Sequence, residues 1–240
     1  MALKDAESDV DNAITREGKR GMPYENAFGG ILSFMRRNYT KNLAGVDLAV
    51  TGIPFDQAVT NRPGSRFGPR AIREASTLQP CDAPFGWDIN PLLDFDIVDY
   101  GDLAFDYANV AAFPKRLTDH IRGILEHGSG VLSFGGDHYV TFPILRAFVE
   151  KFGPIALVHF DAHSDTWPDD DMERIDHGTM FYKALKEELI IPDKSVQIGI
   201  RTHNDFNAGV HVIAAPQVHS QTPSMTASQI KDIVGNHPVY

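Results

Sequence analysis

Short apolar runs alternate with amphipathic stretches along this chain. Residues 46–53 form the first clear run, closed by Pro54. Residues 95–100, 131–134, 155–160 and 196–200 repeat the pattern, and 210–213 is a weaker example. Each run is short and bounded by Gly, Pro or Asp, so each predicts a strand. Between them the apolar positions take helical spacing. Leu117, Ile121, Ile124 and Leu125 share one face of a helix expected over 113–127, and Gly128 fits its stop. Pro69 suits the first turn of a helix through 71–75. Further helices are expected near 143–152, 180–189 and 227–234. Residues 1–45 are polar and broken by Gly and Pro. They predict an N-terminal arm with a short helical piece near 31–35, either loose or packed on a neighbouring subunit. Strand alternating with helix predicts an α/β fold with a mainly parallel sheet. No repeat or internal boundary divides 46–240, which reads as one domain.

Composition narrows the function classes. At 240 residues the chain can bury a sizeable core. The formal net charge of −10 disfavours nucleic acid and anionic membrane surfaces as partners, and it suits a small cationic substrate. The single cysteine, Cys81, excludes a disulfide framework and a cysteine-based zinc site within one chain. The first residues lack the apolar core of a secretion signal, so a cytoplasmic protein is expected. No apolar run approaches the ~18 residues of a membrane span.

The candidate chemistry gathers at strand ends, where open parallel sheets bind ligands. The run 155–160 ends in Asp161-Ala162-His163-Ser164-Asp165. If the chain stays extended, Asp161, His163 and Asp165 point the same way. Two carboxylates and an imidazole packed together repel and desolvate one another unless a cation lies between them. Gly135-Gly136-Asp137-His138 ends the preceding strand and would aim His138 at the same crevice. The ligand set has carboxylates and imidazoles but no thiolate. It suits Mn²⁺, with Zn²⁺, Fe²⁺ or Co²⁺ as alternatives. Several carboxylates in one site also suit a metal pair that deprotonates a bridging water, so metal-assisted hydrolysis is the expected reaction class. His177, just before a helix, is of the right type for proton transfer near neutrality. A solvent-exposed helix-entry residue is the equal alternative.

Taken together these motifs resemble the ureohydrolases, the arginase and agmatinase family. The resemblance rests on 135–138, 161–165 and His177-Gly178-Thr179-Met180-Phe181, with support from 52–56, 62–73 and 195–201. It runs in order over about residues 25–240, and the wording is most like bacterial agmatinase. It implies a three-layer α/β/α sandwich and two Mn²⁺ ions. It also implies hydrolysis of a guanidinium group to urea and an amine by a manganese-activated hydroxide. By motif position, His138 and His163 would each bind one metal, Asp161 would bridge, Asp165 would complete a shell, and His177 would transfer protons. The resemblance assigns Gly135, Gly136 and Asp137 to loop shape. It makes the segment from Arg66 to Arg73 structural, and it implies a trimer or hexamer.

The loop over 168–173, Pro-Asp-Asp-Asp-Met-Glu, is acidic. The resemblance places this loop where arginase holds the amino-acid carboxylate, so it implies that the acids repel that group and tolerate an amine tail, which favours agmatine over arginine; acids that simply face solvent are the alternative. Guanidinobutyrate and guanidinopropionate enzymes are the neighbouring alternatives. The family's later Asp-x-Asp metal motif is not found before Tyr240, so the chain is expected to be C-terminally shortened. A non-catalytic homologue that binds metal weakly is therefore the other expectation.

Overall fold

The computed structural model describes residues 29–78, 83–206 and 208–240. Cys81 lies outside the described residues. The chain divides into two compact units, Met1–Val140 and Thr141–Tyr240.

The first unit holds β1 (Leu48–Ile53), α1 (Gly68–Ser76), α2 (Pro91–Asp94), β2 (Ile97–Asp102), α3 (Phe113–Glu126) and β3 (Gly130–Gly135). Its strands are all parallel in the order β2-β1-β3. Central β1 is buried from Ala49 to Ile53, as a parallel strand covered on both faces must be. Leu117, Ile121, Ile124 and Leu125 of α3 are all buried, so the helical spacing marked the correct face. β2 extends past the end expected at Gly101. Its register with β1 shifts between Val50 and Thr51, Gly101 takes a φ of 74°, and pairing resumes through Asp102. Asn38 and Thr40 also bond to Asp99 of β2, at 2.9 and 3.0 Å, so residues 38–40 run along that strand. A short 3-10 turn, Phe34–Arg36, stands near the helical piece expected at 31–35.

The segment from Arg66 to Arg73 is structural, and the contacts show how. Arg66 Nε donates to Asp56 at 2.6 Å. Buried Arg73 forks onto both oxygens of Asp99, at 2.7 and 2.9 Å, and reaches Asp102 at 2.6 Å, which ties α1 to β2.

The second unit holds α4 (Thr141–Phe152), β4 (Val158–Phe160), α5 (Met180–Lys186), β5 (Val196–Ile200), β6 (His211–Ala214), α6 (Ala215–Ser220) and α7 (Pro223–Val234). Its strands are again parallel, in the order β4-β5-β6. Val196, Ile198 and Ile213 form a core against Val158, Val218, Ile230 and Ile233. α7 begins four residues before the apolar spacing shows it, because Thr222 caps Met225 N and Pro223 fits the first turn. α5 stops at Lys186, where Glu188 turns to a φ of 55°. Strand β4 is shorter than its apolar run. Ile155 and Ala156 make only single bridges, to Ile190 and Val239. Through that second bridge residues 238–240 lie parallel to the run, with Tyr240 O accepting from Val158 N at 2.9 Å. Among the described residues no helix is long and apolar enough to cross a membrane.

Candidate metal centre

In the first unit, β3 hands the chain to a turn that presents His138. Gly136 takes a φ of 42°, and a Cβ there would lie 2.3 Å from the Phe55 carbonyl oxygen. Only glycine lets the backbone pass so close. Asp137 is buried, and its oxygens accept from Ala58 N at 2.9 Å and Tyr139 N at 3.0 Å. Gly136 and Asp137 therefore shape the loop. His138 opens the 3-10 turn His138–Val140 and is half-buried.

In the second unit, β4 ends at Phe160 and the extended geometry expected for 161–165 is not kept. Asp161 N still bonds to Ile198 O at 3.0 Å, but the chain then bends, and Asp165 takes a φ of 50°. This conformation is uncommon for a residue with a Cβ. The bend, rather than strand alternation, brings the carboxylates together. His159, Asp161 and Asp165 offer ligand atoms that all lie within 4.8 Å of one another. Asp165 and His159 are buried. His163 stands beside them but points outward. Its Nδ1 is 3.3 Å from Asp161 Oδ1, while its side chain is 61% exposed.

His159 was missed by the sequence reasoning. It lies two residues before Asp161 on the same strand face, and that parity was the available signal. Two clustered carboxylates with imidazoles beside them fit a divalent cation, and the charge of a cation is what relieves their repulsion.

His177 sits in a turn closed by Asp176, whose Oδ1 accepts from Gly178 N at 2.8 Å. The ring is half-buried. The loop before it is pinned at its neck by Trp167 N donating to Gly178 O at 3.1 Å. Inside, fully buried Lys183 of α5 reaches Asp169 at 3.3 Å and the Arg174 carbonyl at 2.5 Å. Burial works to raise the Asp169 carboxyl. The Asp171 N–H, Lys183 and Arg174 outweigh it and hold the group below the usual carboxylate range. Asp171 caps Glu173 N at 3.1 Å, and Asp170 accepts from the Tyr182 hydroxyl at 3.3 Å. Several acids of this loop thus build the loop itself.

Parallel strands carrying clustered carboxylates and imidazoles at a carboxyl end define a metal-dependent hydrolase of the α/β class. The chain belongs to the arginase family, whose pattern it matches over residues 46–240. A protein of Chromobacterium violaceum named an agmatinase is 52% identical over 231 residues, which span 96% of this chain and 72% of the relative. The crystal structure of a hypothetical agmatinase from Burkholderia thailandensis is similar at a TM-score of 0.92 and 46% identity, covering 97% of this chain and 74% of that one. Proclavaminate amidino hydrolase of Streptomyces clavuligerus is similar at a TM-score of 0.83 and 36% identity, over 90% of this chain and 74% of that one. The fold is thus that of the arginase family, and the chain is an amidinohydrolase with a metal cofactor.

Proposed function

We propose that the protein hydrolyses the guanidinium group of agmatine, giving putrescine and urea, with two Mn²⁺ ions as cofactors. The observation that carries this reading is the pair of clustered carboxylates, Asp161 and Asp165, at the end of β4, with the His159 ring beside them. It stands in a chain 52% identical to a protein named an agmatinase.

His138, Asp161, His163 and Asp165 are the residues we propose would hold the metal. The guanidinium is resonance-stabilised and stays protonated, so water alone attacks it very slowly. The metal pair, when bound, supplies positive charge that makes a water nucleophilic at neutral pH. His177, held by the Asp176 turn, carries a proton to the leaving amine nitrogen as the C–N bond breaks. One water is consumed per urea formed. The acidic loop favours the amine tail of agmatine, which lacks the carboxylate that arginine carries beside its own α-amine and that 4-guanidinobutyrate has in place of the amine. We place the protein in the cytoplasm, in polyamine metabolism, and as a homo-oligomer, a trimer or hexamer; light scattering of the purified chain checks the last.

Urea release from agmatine, arginine and 4-guanidinobutyrate in added Mn²⁺ tests the substrate. Urea from agmatine alone is expected, and His177→Ala should lower kcat by about 10²–10⁴-fold. Preference for arginine or 4-guanidinobutyrate would refute the substrate, and no urea from any of them would refute the reaction.

A further inference from the structure

We propose that His159 is a positioning residue that orients Asp161, with Gln197 fixing which ring nitrogen carries the proton. This deepens the reading above and rests on Asp161 being a metal ligand.

His159 of β4 and Gln197 of β5 face each other directly in the parallel register. Both are buried. Gln197 Nε2 lies 2.7 Å from the Ser164 carbonyl oxygen and 3.1 Å from His159 Nδ1. A carbonyl only accepts, so the amide must turn its NH₂ towards Ser164. The second proton of that NH₂ then meets His159 Nδ1, which must present a lone pair. The imidazole proton is left on Nε2, and Nε2 faces Asp161 Oδ2 at 3.5 Å. Phe181 meets the ring edge-on, with centroids 4.8 Å apart, and fixes its plane.

Asp161 is therefore steered from two sides. Oδ2 faces the His159 N–H, while Oδ1 accepts from His163 N at 2.8 Å. At 3.5 Å, and without hydrogen-bond geometry, the His159 contact is electrostatic: the buried Nε2 end of the ring faces the carboxylate and aims it without sequestering its lone pairs. The same arrangement argues against His159 as a ligand itself. Freeing the Nε2 lone pair for a metal would move the proton to Nδ1, donor against donor with Gln197. Groups that orient a ligating side chain in this way typically change metal affinity by about 10–100-fold.

The test is Mn²⁺ binding to the full chain, read by the free-ion electron paramagnetic resonance signal and independent of turnover. Asp161→Asn, His159→Ala, His159→Gln and Gln197→Met are compared, with circular dichroism to show folding. Asp161→Asn should abolish tight binding. His159→Ala should weaken it about 10–100-fold, and His159→Gln, which keeps an N–H near the Nε2 position, should recover most of that loss. Gln197→Met should weaken binding several-fold by releasing the tautomer. If Asp161→Asn abolishes binding while His159→Ala leaves it intact, the positioning role is refuted and the metal reading stands. If Asp161→Asn binds as tightly as the parent, the metal reading falls and takes this inference with it. Equal loss in Asp161→Asn and His159→Ala without recovery in His159→Gln would make His159 a ligand and refute positioning. Should His159→Ala fail to fold, His159→Gln and Gln197→Met carry the decision: binding near the parent for the first with several-fold weakening for the second supports the proposal, and any other pattern refutes it.

Discussion

Arg73 is a buried cation whose guanidinium is satisfied by Asp99 and Asp102. Burial works to lower its pKa, but the two carboxylates outweigh it and hold the charge in place. Removing one partner of such a pair leaves an uncompensated buried charge. Arg73→Met should therefore destabilise the protein by about 3–5 kcal/mol in urea unfolding; a loss below ~1 kcal/mol would contradict the network's role. His120 gives a second prediction. Burial, with lesser contributions from Lys41 and Arg116, pushes its pKa from 6.5 down to about 4. Its Nε2 lies 2.8 Å from Thr51 Oγ1, whose own proton goes to Gly101 O, so the neutral ring donates. The folded form binds fewer protons than the unfolded chain between these values. Stability is thus fully present above pH 6.5 and falls as pH drops towards 4, by on the order of 3 kcal/mol. His120→Gln should flatten that part of the pH profile relative to the parent; an unchanged slope would contradict it. At this scale the sequence exposed the motif residues His138, Asp161, His163, Asp165 and His177. It hid His159 and Gln197, because their partnership depends on which strands are neighbours.

At the scale of elements, the loop from Trp167 to Gly178 carries most of the consequence. Its sequence reads as an acidic strip open to solvent or substrate. The structure instead ties it down from below through the buried Lys183 ammonium, on Asp169 and the Arg174 carbonyl. Periodicity placed Lys183 in a helix, but its burial was not legible, since lysine is rarely buried unless paired. Lys183→Met should loosen the loop. Limited trypsin digestion followed by mass spectrometry should show faster cleavage after Arg174, and an unchanged rate would sink the pinning role. The segment 161–165 shows the opposite limit. Its residues were legible and its geometry was not, because the bend at Asp165 replaces the alternation that an extended chain would give. Gly136 was legible as a loop-shaping residue through the resemblance, and its φ of 42° against the Phe55 carbonyl gives the physical reason.

For the whole molecule, alternating apolar runs and amphipathic stretches located all six described strands and most helices, with ends shifted where local chemistry intervened. Caps and prolines moved the start of α7, and a bulge extended β2. The short helices α2 and α6 went unseen because neither is long enough to show a helical period. Strand order was equally hidden, since periodicity says what each strand buries and nothing about its neighbours. The chain spans about 72% of the length of the Chromobacterium violaceum relative, and it carries the His159, Asp161 and Asp165 cluster within that span. The central claim is that this cluster serves metal-dependent hydrolysis of a guanidinium. The most direct measurement is urea release from agmatine by protein stripped with chelator, before and after Mn²⁺ is restored, with Asp161→Asn in parallel. Activity absent after stripping, recovered with Mn²⁺ and missing in Asp161→Asn is the predicted result. Urea release that survives stripping, or that Asp161→Asn retains, would contradict the account.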